Sequence, residues 1–181
     1  MTALLVIWGL VVLAIIYYIS LNNKIVSLEE TVGNAWSDID VQLRMRFDLV
    51  DNLVETVKWY AKHEKDTFKE IVEARNKFAS ATDVKSKADA DNMLTTSLKS
   101  LFALSESYPE LKANENFLSL QSELSDIENK IASARRYFNA ATREYNTKIK
   151  QFPANVLFSK EPKEYFEGLE EAKKAPKVKF D

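Results

Sequence analysis

Two patterns of apolar residues divide the chain. From Ala3 to Leu21 the side chains are almost all apolar on every face, and no charged residue appears before Lys24. From Ile25 on, apolar or small residues recur in steps of mostly three and four: Ile25, Leu28, Val32, Ala35, Ile39, Leu43, Phe47, Val50, Val54, Val57, Ala61, Phe68, Ile71. That spacing is the mark of a helix with one buried stripe. Trp36, Leu53 and Tyr60 widen the stripe beyond a two-stranded seam. No Pro occurs between Asn22 and Ser80, so the pattern predicts one helix over 24–78, roughly 80 Å long. Gly33 is the weak point where a kink costs least.

The small polar run 80–91 predicts a hairpin turn followed by a helix start. Met93, Leu94, Leu98, Leu101, Phe102 and Leu104 mark the second helix, which Tyr108-Pro109 ends because Pro disfavours helical backbone in the residue before it. Asn114 is a good N-cap for a third helix over 115–151. Its stripe runs Phe117, Leu120, Leu124, Ile127, Ile131, Ala134, Phe138, Ala141, Tyr145 and Ile149, and Pro153 stops it. The run Phe152–Phe158 is an apolar loop that must pack on something. A short helix over 164–174 and a tail follow.

The first pattern predicts a membrane anchor. Nineteen residues from Ala3 to Leu21 span roughly 28 Å as a helix, enough for a bilayer core. Tyr17 and Tyr18 stand near one end, where aromatic rings favour the interface. A cleaved signal peptide would need basic residues before a shorter apolar run, and none are present. The expected architecture is therefore all-α. A transmembrane helix, 1–23, leads into an antiparallel bundle of three to four long helices over 24–160, and 161–181 forms a short helix and tail. With Lys24 the nearest flanking cation, the positive-inside rule places the bundle in the cytoplasm.

Composition removes several kinds of chemistry. Among 181 residues there is no Cys and one His, so disulfides, thiolate metal sites, Cys nucleophiles and multi-His metal sites are out of reach. Three Gly argue against a phosphate-binding loop. Lys plus Arg number 25 against 27 Asp plus Glu, and a net charge of −2 is a poor footprint for nucleic acid. His63-Glu64 opens a zinc-helix pattern, but Thr67 stands where the second ligand belongs. No carboxylate pair stands out for acid/base work, and the lysine pairs Lys85/Lys87, Lys173/Lys174 and Lys177/Lys179 read as solvated faces. No cofactor, metal or catalytic residue is expected.

Two candidate sites remain. Polar residues flank the stripes of the first and third helices. Arg46, Asp48 or Asn52 is expected to pair with Arg135, Asn139 or Asn146 in a network that fixes helix register, with a ligand or partner groove as the alternative. The membrane-proximal stripe of the first helix, Ile25, Leu28, Val32, Trp36 and Ile39, is expected to stay bare beside shorter neighbours and to mediate self-association. Copies held in one plane by their anchors would gain from high effective concentration. A fold-back of Phe152–Phe158 over this stripe is the competing arrangement.

Several segments, in order from about 22 to 166, resemble the LemA family of bacterial membrane-anchored helical proteins. They include Asn34-Ala-Trp-Ser-Asp-Ile-Asp-Val-Gln-Leu43, Arg46-Phe-Asp-Leu-Val50, Asn52-Leu-Val-Glu-Thr-Val-Lys58, Tyr60-Ala-Lys-His-Glu64 and Tyr108-Pro-Glu-Leu-Lys-Ala-Asn114. Glu128-Asn-Lys-Ile-Ala-Ser-Ala-Arg-Arg-Tyr-Phe-Asn139, Phe152-Pro153 and Tyr165-Phe166 continue the series. The family often has a Pro where Asp51 stands, so a kink there is not expected to carry over. The resemblance implies a helical bundle on an anchor in a bacterial plasma membrane, without an agreed reaction. It points to membrane organisation or to the neighbourhood of a membrane protease. The functional expectation is a single-pass, non-enzymatic scaffold that contacts lipid, forms a homo-oligomer or organises membrane-protein partners. An adaptor or regulator of an envelope enzyme is the alternative.

Overall fold

The structure is a computed structural model, and it describes residues 1–166. Among these every regular element is a helix: α1 (Thr2–Tyr60), α2 (Lys65–Ser80), α3 (Val84–Ser105), α4 (Pro109–Lys112), α5 (Glu115–Lys150) and α6 (Ala154–Leu157). The expected short helix over 164–174 lies mostly outside the described residues, and Glu164, Tyr165 and Phe166 are not helical.

Helix α1 is continuous for 59 residues, about 88 Å. It runs out of the apolar segment into the bundle without a break, because the junction Leu21-Asn22-Asn23-Lys24 contains no Gly or Pro. Gly33 and Asp51 both lie inside it. Residues 1–20 are exposed throughout, and among the described residues little besides Phe158, which stacks on Tyr18, touches this apolar surface. A soluble core helix would be covered, whereas a membrane span meets lipid instead.

The expected single helix over 24–78 is two. The chain turns at Ala61–Glu64 without Gly or Pro, and α2 packs back on α1 through Phe68, Ile71 and Ala74. Contacts from distant residues hold this corner. Asn114 Nδ2 donates to the Tyr60 hydroxyl at 3.1 Å, and the Tyr108 hydroxyl donates to Glu64 Oε1 at 3.2 Å. The start of α3 is set locally: Asp83 accepts from the Ser86 backbone N–H while Ser86 accepts from the Asp83 N–H, a reciprocal capping box. Asn114 caps α5 by accepting from the Phe117 N–H, as the sequence predicts.

The long helices alternate in direction. Phe78 of α2 stacks on Phe47 of α1, Asp91 of α3 meets Arg46, and Phe138 of α5 packs against Trp36. Four helices therefore enclose the half of the bundle far from the span, around Val50, Leu53, Leu94, Leu101 and Phe117. Nearer the span the core continues through Ile25, Ile39, Leu43, Ile131, Phe138 and Tyr145, mainly between α1 and α5. After α6 the chain doubles back along these two helices as an extended strap, 158–166, whose Phe166 is buried in the same core.

Candidate functional site

Three helices bring charge into the middle of the bundle. Asp91 on α3 has a fully buried side chain. Arg46 Nη1 on α1 donates to Asp91 Oδ1 at 2.7 Å, and Arg135 Nη2 on α5 donates to Asp91 Oδ2. Glu128 Oε2 stands 3.0 Å from Arg46 Nη1 but off the N–H direction, so it acts as a counter-charge rather than an acceptor. Burial depresses the pKa of Arg46, with Glu128 opposing the shift. Burial and the nearby Arg46 charge bring Arg135 down to about 10. Both guanidiniums stay protonated at neutral pH, and Asp91 bridges two cations that would otherwise repel across a desolvated space.

A second pair extends the cluster toward the span. Lys87 on α3 donates to Asp40 on α1, with 11 % of its side chain exposed. Its ammonium lies 5.1 Å from the centre of the Phe78 ring and 5.8 Å from that of Trp36. Lys87 is therefore a packed residue, not part of a solvated face. Burial alone would raise the Asp40 pKa, but its hydrogen bonds and charge contacts with Lys87 and Arg44 hold it below the usual carboxylate value.

The expected register network is thus partly rearranged. Arg46 and Arg135 meet through Asp91, which the sequence reading missed. Its signal is its place three residues before Leu94, on the stripe Leu94, Leu98, Leu101. Asp48 and Asn52 are exposed and take no part. Two and six residues beyond Arg46 are about 200° and 240° around a helix of 3.6 residues per turn, the far side of α1.

Asn139 and Asn146 have a different partner. Asn146 donates to the Lys163 carbonyl and accepts from the Lys163 N–H, both at 2.8 Å. Asn139 does the same with Phe166, at 3.0 and 2.9 Å. The two Asn lie seven residues apart, about 10.5 Å along a helix, and the two strap residues lie three apart, about 10 Å along extended backbone. Matched repeats allow each carboxamide to hold both polar groups of one strap residue. Phe166 packs against Trp36, with ring centres 6.3 Å apart, and the Arg135 guanidinium covers it at 4.9 Å. Lys160 and Lys163 reach Glu29 on α1 at 2.8 and 3.0 Å, and these hydrogen bonds lower the Glu29 pKa.

The expected self-association face is consequently inside the fold. Ile25, Leu28, Val32 and Ile39 are at most 5 % exposed, and Trp36 is half-buried. The reason is register. Helix α5 runs antiparallel to α1 all the way down to the span, and the strap fills the groove between them. Replacing Leu28 or Val32 with Asp would therefore disrupt the bundle itself.

At the end far from the span is an open groove of about 780 Å³. Asn52, Glu55, Trp59, Tyr60, Glu110 and Asn114 are among the residues that line it, and Trp59 is 78 % exposed. His63 is exposed in the adjacent α1–α2 turn. Among the described residues no three His, Asp or Glu side chains converge on a point that could hold a metal ion.

Known proteins are similar to this chain in sequence. Protein LemA of Metamycoplasma hominis is 24 % identical over 144 residues, covering 79 % of this chain and 66 % of that protein. Magnetosome protein MamQ of Magnetospirillum gryphiswaldense is 27 % identical over 161 residues, covering 75 % of this chain and 59 % of that protein. Magnetosome protein MamQ 2 of Paramagnetospirillum magneticum is 26 % identical over 182 residues, covering 86 % and 67 %. The chain thus spans about three fifths to two thirds of the length of these relatives. The family model described as the LemA family matches residues 35–180, which takes in the charge cluster, both Asn clamps and the strap. With most of its length matched in this way, the chain belongs to the LemA family.

Proposed function

We propose that the protein is a non-enzymatic scaffold anchored by a single pass in the plasma membrane of a bacterium, where it self-associates or organises membrane proteins. The observation that carries this reading is that one helix, α1, is both the apolar segment and the spine of the bundle. A bundle rooted in this way keeps a fixed height and facing relative to its anchor helix, as a scaffold requires. Its buried Arg46 and Arg135 are paired through Asp91, and among the described residues no nucleophile stands beside a paired acid and base in a cleft. With Ile25, Leu28, Val32 and Ile39 inside the fold, contact between copies falls to outer faces, where Val41 and Met45 are exposed one turn apart.

The distal groove favours a second reading, an adaptor for an envelope enzyme. An exposed Trp at the edge of a groove is the kind of side chain enriched where proteins recognise one another. Purification of the full chain in mild detergent separates the two. A defined homo-oligomer supports the scaffold, and a co-purifying enzyme lost on Trp59→Ala supports the adaptor. A monomer that retains neither copies nor partners, in detergent and in lipid, overturns both.

A further inference from the structure

The turn that joins α5 to the strap is apolar, exposed and level with the span. Residues 151–159 contain no charged side chain, whereas Lys148, Lys150 and Lys160 bracket them. Phe152 is 82 % exposed, Val156 73 % and Leu157 45 %, while Ala154 on the inner side of α6 is buried in the bundle core. The apolar residues at 152, 156 and 157 therefore point outward from an element that is itself fixed in place.

Its height follows from the pairing of α1 with α5. Arg46 meets Glu128 and Trp36 meets Phe138, so the antiparallel helices bring Lys150 level with Lys24, the first charge after the span. The turn that follows Lys150 lies lower, before the strap climbs back to Glu29 and Trp36. Phe158 confirms this by stacking on Tyr18, inside the apolar segment, with ring centres 5.1 Å apart. The exposed side chains of the turn are thus continuous with the uncovered surface of α1. An isolated exposed apolar residue needs no explanation, but a contiguous patch joined to a membrane span does.

We propose that the 151–159 turn is a second membrane contact, seated in the interfacial layer of the same bilayer that α1 crosses and confined to one leaflet. Phe152, Val156 and Leu157 enter the boundary between headgroups and acyl chains. Lys148 and Lys150, just above, face the phosphates and favour anionic lipid. An apolar wedge bracketed by lysines is the amphipathic arrangement that binds there. The strap assists by fixing the far side of the turn to α5 and α1, so the wedge is presented without further ordering. The protein then meets the membrane at two points on one side and one on the other, which gives the bundle a defined facing.

This inference rests on the reading of α1 as a membrane span, and the test addresses the two separately. The chain has no native Cys, so Val156→Cys and Val12→Cys each allow one polarity-sensitive fluorophore in the full-length protein. The probe is measured in vesicles of phosphatidylcholine with phosphatidylglycerol, against aqueous iodide and against spin labels on lipid. The expected result is a Val12 probe quenched by labels deep in the acyl chains. The Val156 probe should be blue-shifted, quenched by shallow labels and protected from iodide, with lipid quenching diminished by Lys148→Gln with Lys150→Gln. A Val156 probe open to iodide while the Val12 probe is lipid-quenched overturns the proposal and leaves the span standing. Val156 shielded from iodide but not quenched by lipid, in step with protein density in the bilayer, also overturns it by showing that a second copy covers the turn. If the Val12 probe is open to iodide, the span and the turn fall together.

Discussion

Asp91→Asn tests the charge cluster with almost no change of shape. The substitution keeps the side-chain volume and one acceptor but removes the negative charge between Arg46 and Arg135. Asp91 is fully buried, and Arg46 and Arg135 expose only 5 % and 18 % of their side chains, so water cannot replace the lost counter-charge at either guanidinium. Arg46 keeps Glu128 at 3.0 Å, while Arg135 loses the carboxylate it pairs with here. Breaking a buried pair from one side costs about 3–5 kcal/mol, against about 0–1 kcal/mol for an exposed pair. At about 2–4 °C per kcal/mol for a chain of this size, the melting temperature should fall by roughly 6–20 °C. The assay is thermal and urea unfolding of the full-length protein in detergent micelles, followed by helical circular dichroism. Replacing the whole triad, Arg46→Met with Asp91→Leu and Arg135→Met, should cost less than Asp91→Asn alone, because nothing charged remains to be stranded among these three. A loss below about 1 kcal/mol for Asp91→Asn would refute the reasoning and show that water reaches the cluster.

Asn146→Ala removes one two-point clamp, so the backbone N–H of Lys163 should lose its protection against hydrogen exchange while amides in α5 keep theirs; unchanged exchange at Lys163 would mean that the Asn139 clamp, Phe166 and the Glu29 pairs suffice to hold the strap. Gly33→Ala should raise stability by about 0.4–1 kcal/mol in the same unfolding assay, because a Cβ there meets nothing within 4 Å and the unfolded chain loses freedom. Asp40 has a folded pKa below its unfolded value, so the stability it contributes is complete above the ordinary carboxylate range, about pH 4, and is lost as pH falls through the lower folded value. Unfolding between pH 6 and pH 3, scales set by that range, should show a smaller acid-dependent loss in Asp40→Asn than in wild type.

The elements legible in the sequence are those whose cause is local. The span is a run without charge, the start of α5 is an Asn three residues before Phe117, and the end of α3 lies just before a Pro. The corner at Ala61–Glu64 has no such cause. Its backbone is turned by α2 packing on α1 and by Tyr108 and Asn114, more than forty residues away in sequence. The stripe Ile25–Ile39 announces that it must be covered but not by what, since periodicity is the same for an intramolecular neighbour and a second copy. Asn139 and Asn146 read correctly as sharing a face of α5. Their ligand is main chain, which has no residue signature, so the sequence points to side chains on α1 instead. Arg46 and Arg135 were visible as cations beside apolar stripes, and the acid between them was hidden in a small, polar stretch that reads as a turn.

The continuity of α1 makes the molecule a lever. About 37 residues extend from Lys24 to Tyr60, roughly 55 Å of helix with no joint at the membrane surface. With α1 crossing a bilayer, as proposed, any change in its tilt would be the same change for the whole bundle. A rotation of about 10°, well inside the 0–40° over which spanning helices tilt, carries the end near Trp59 sideways by roughly 10 Å. The apolar segment is close to the thickness of a bilayer core, and an excess of length over thickness is absorbed by tilt. For a bundle anchored by α1, local thinning of the bilayer would thereby become lateral travel of the distal groove, far above the lipid that caused it.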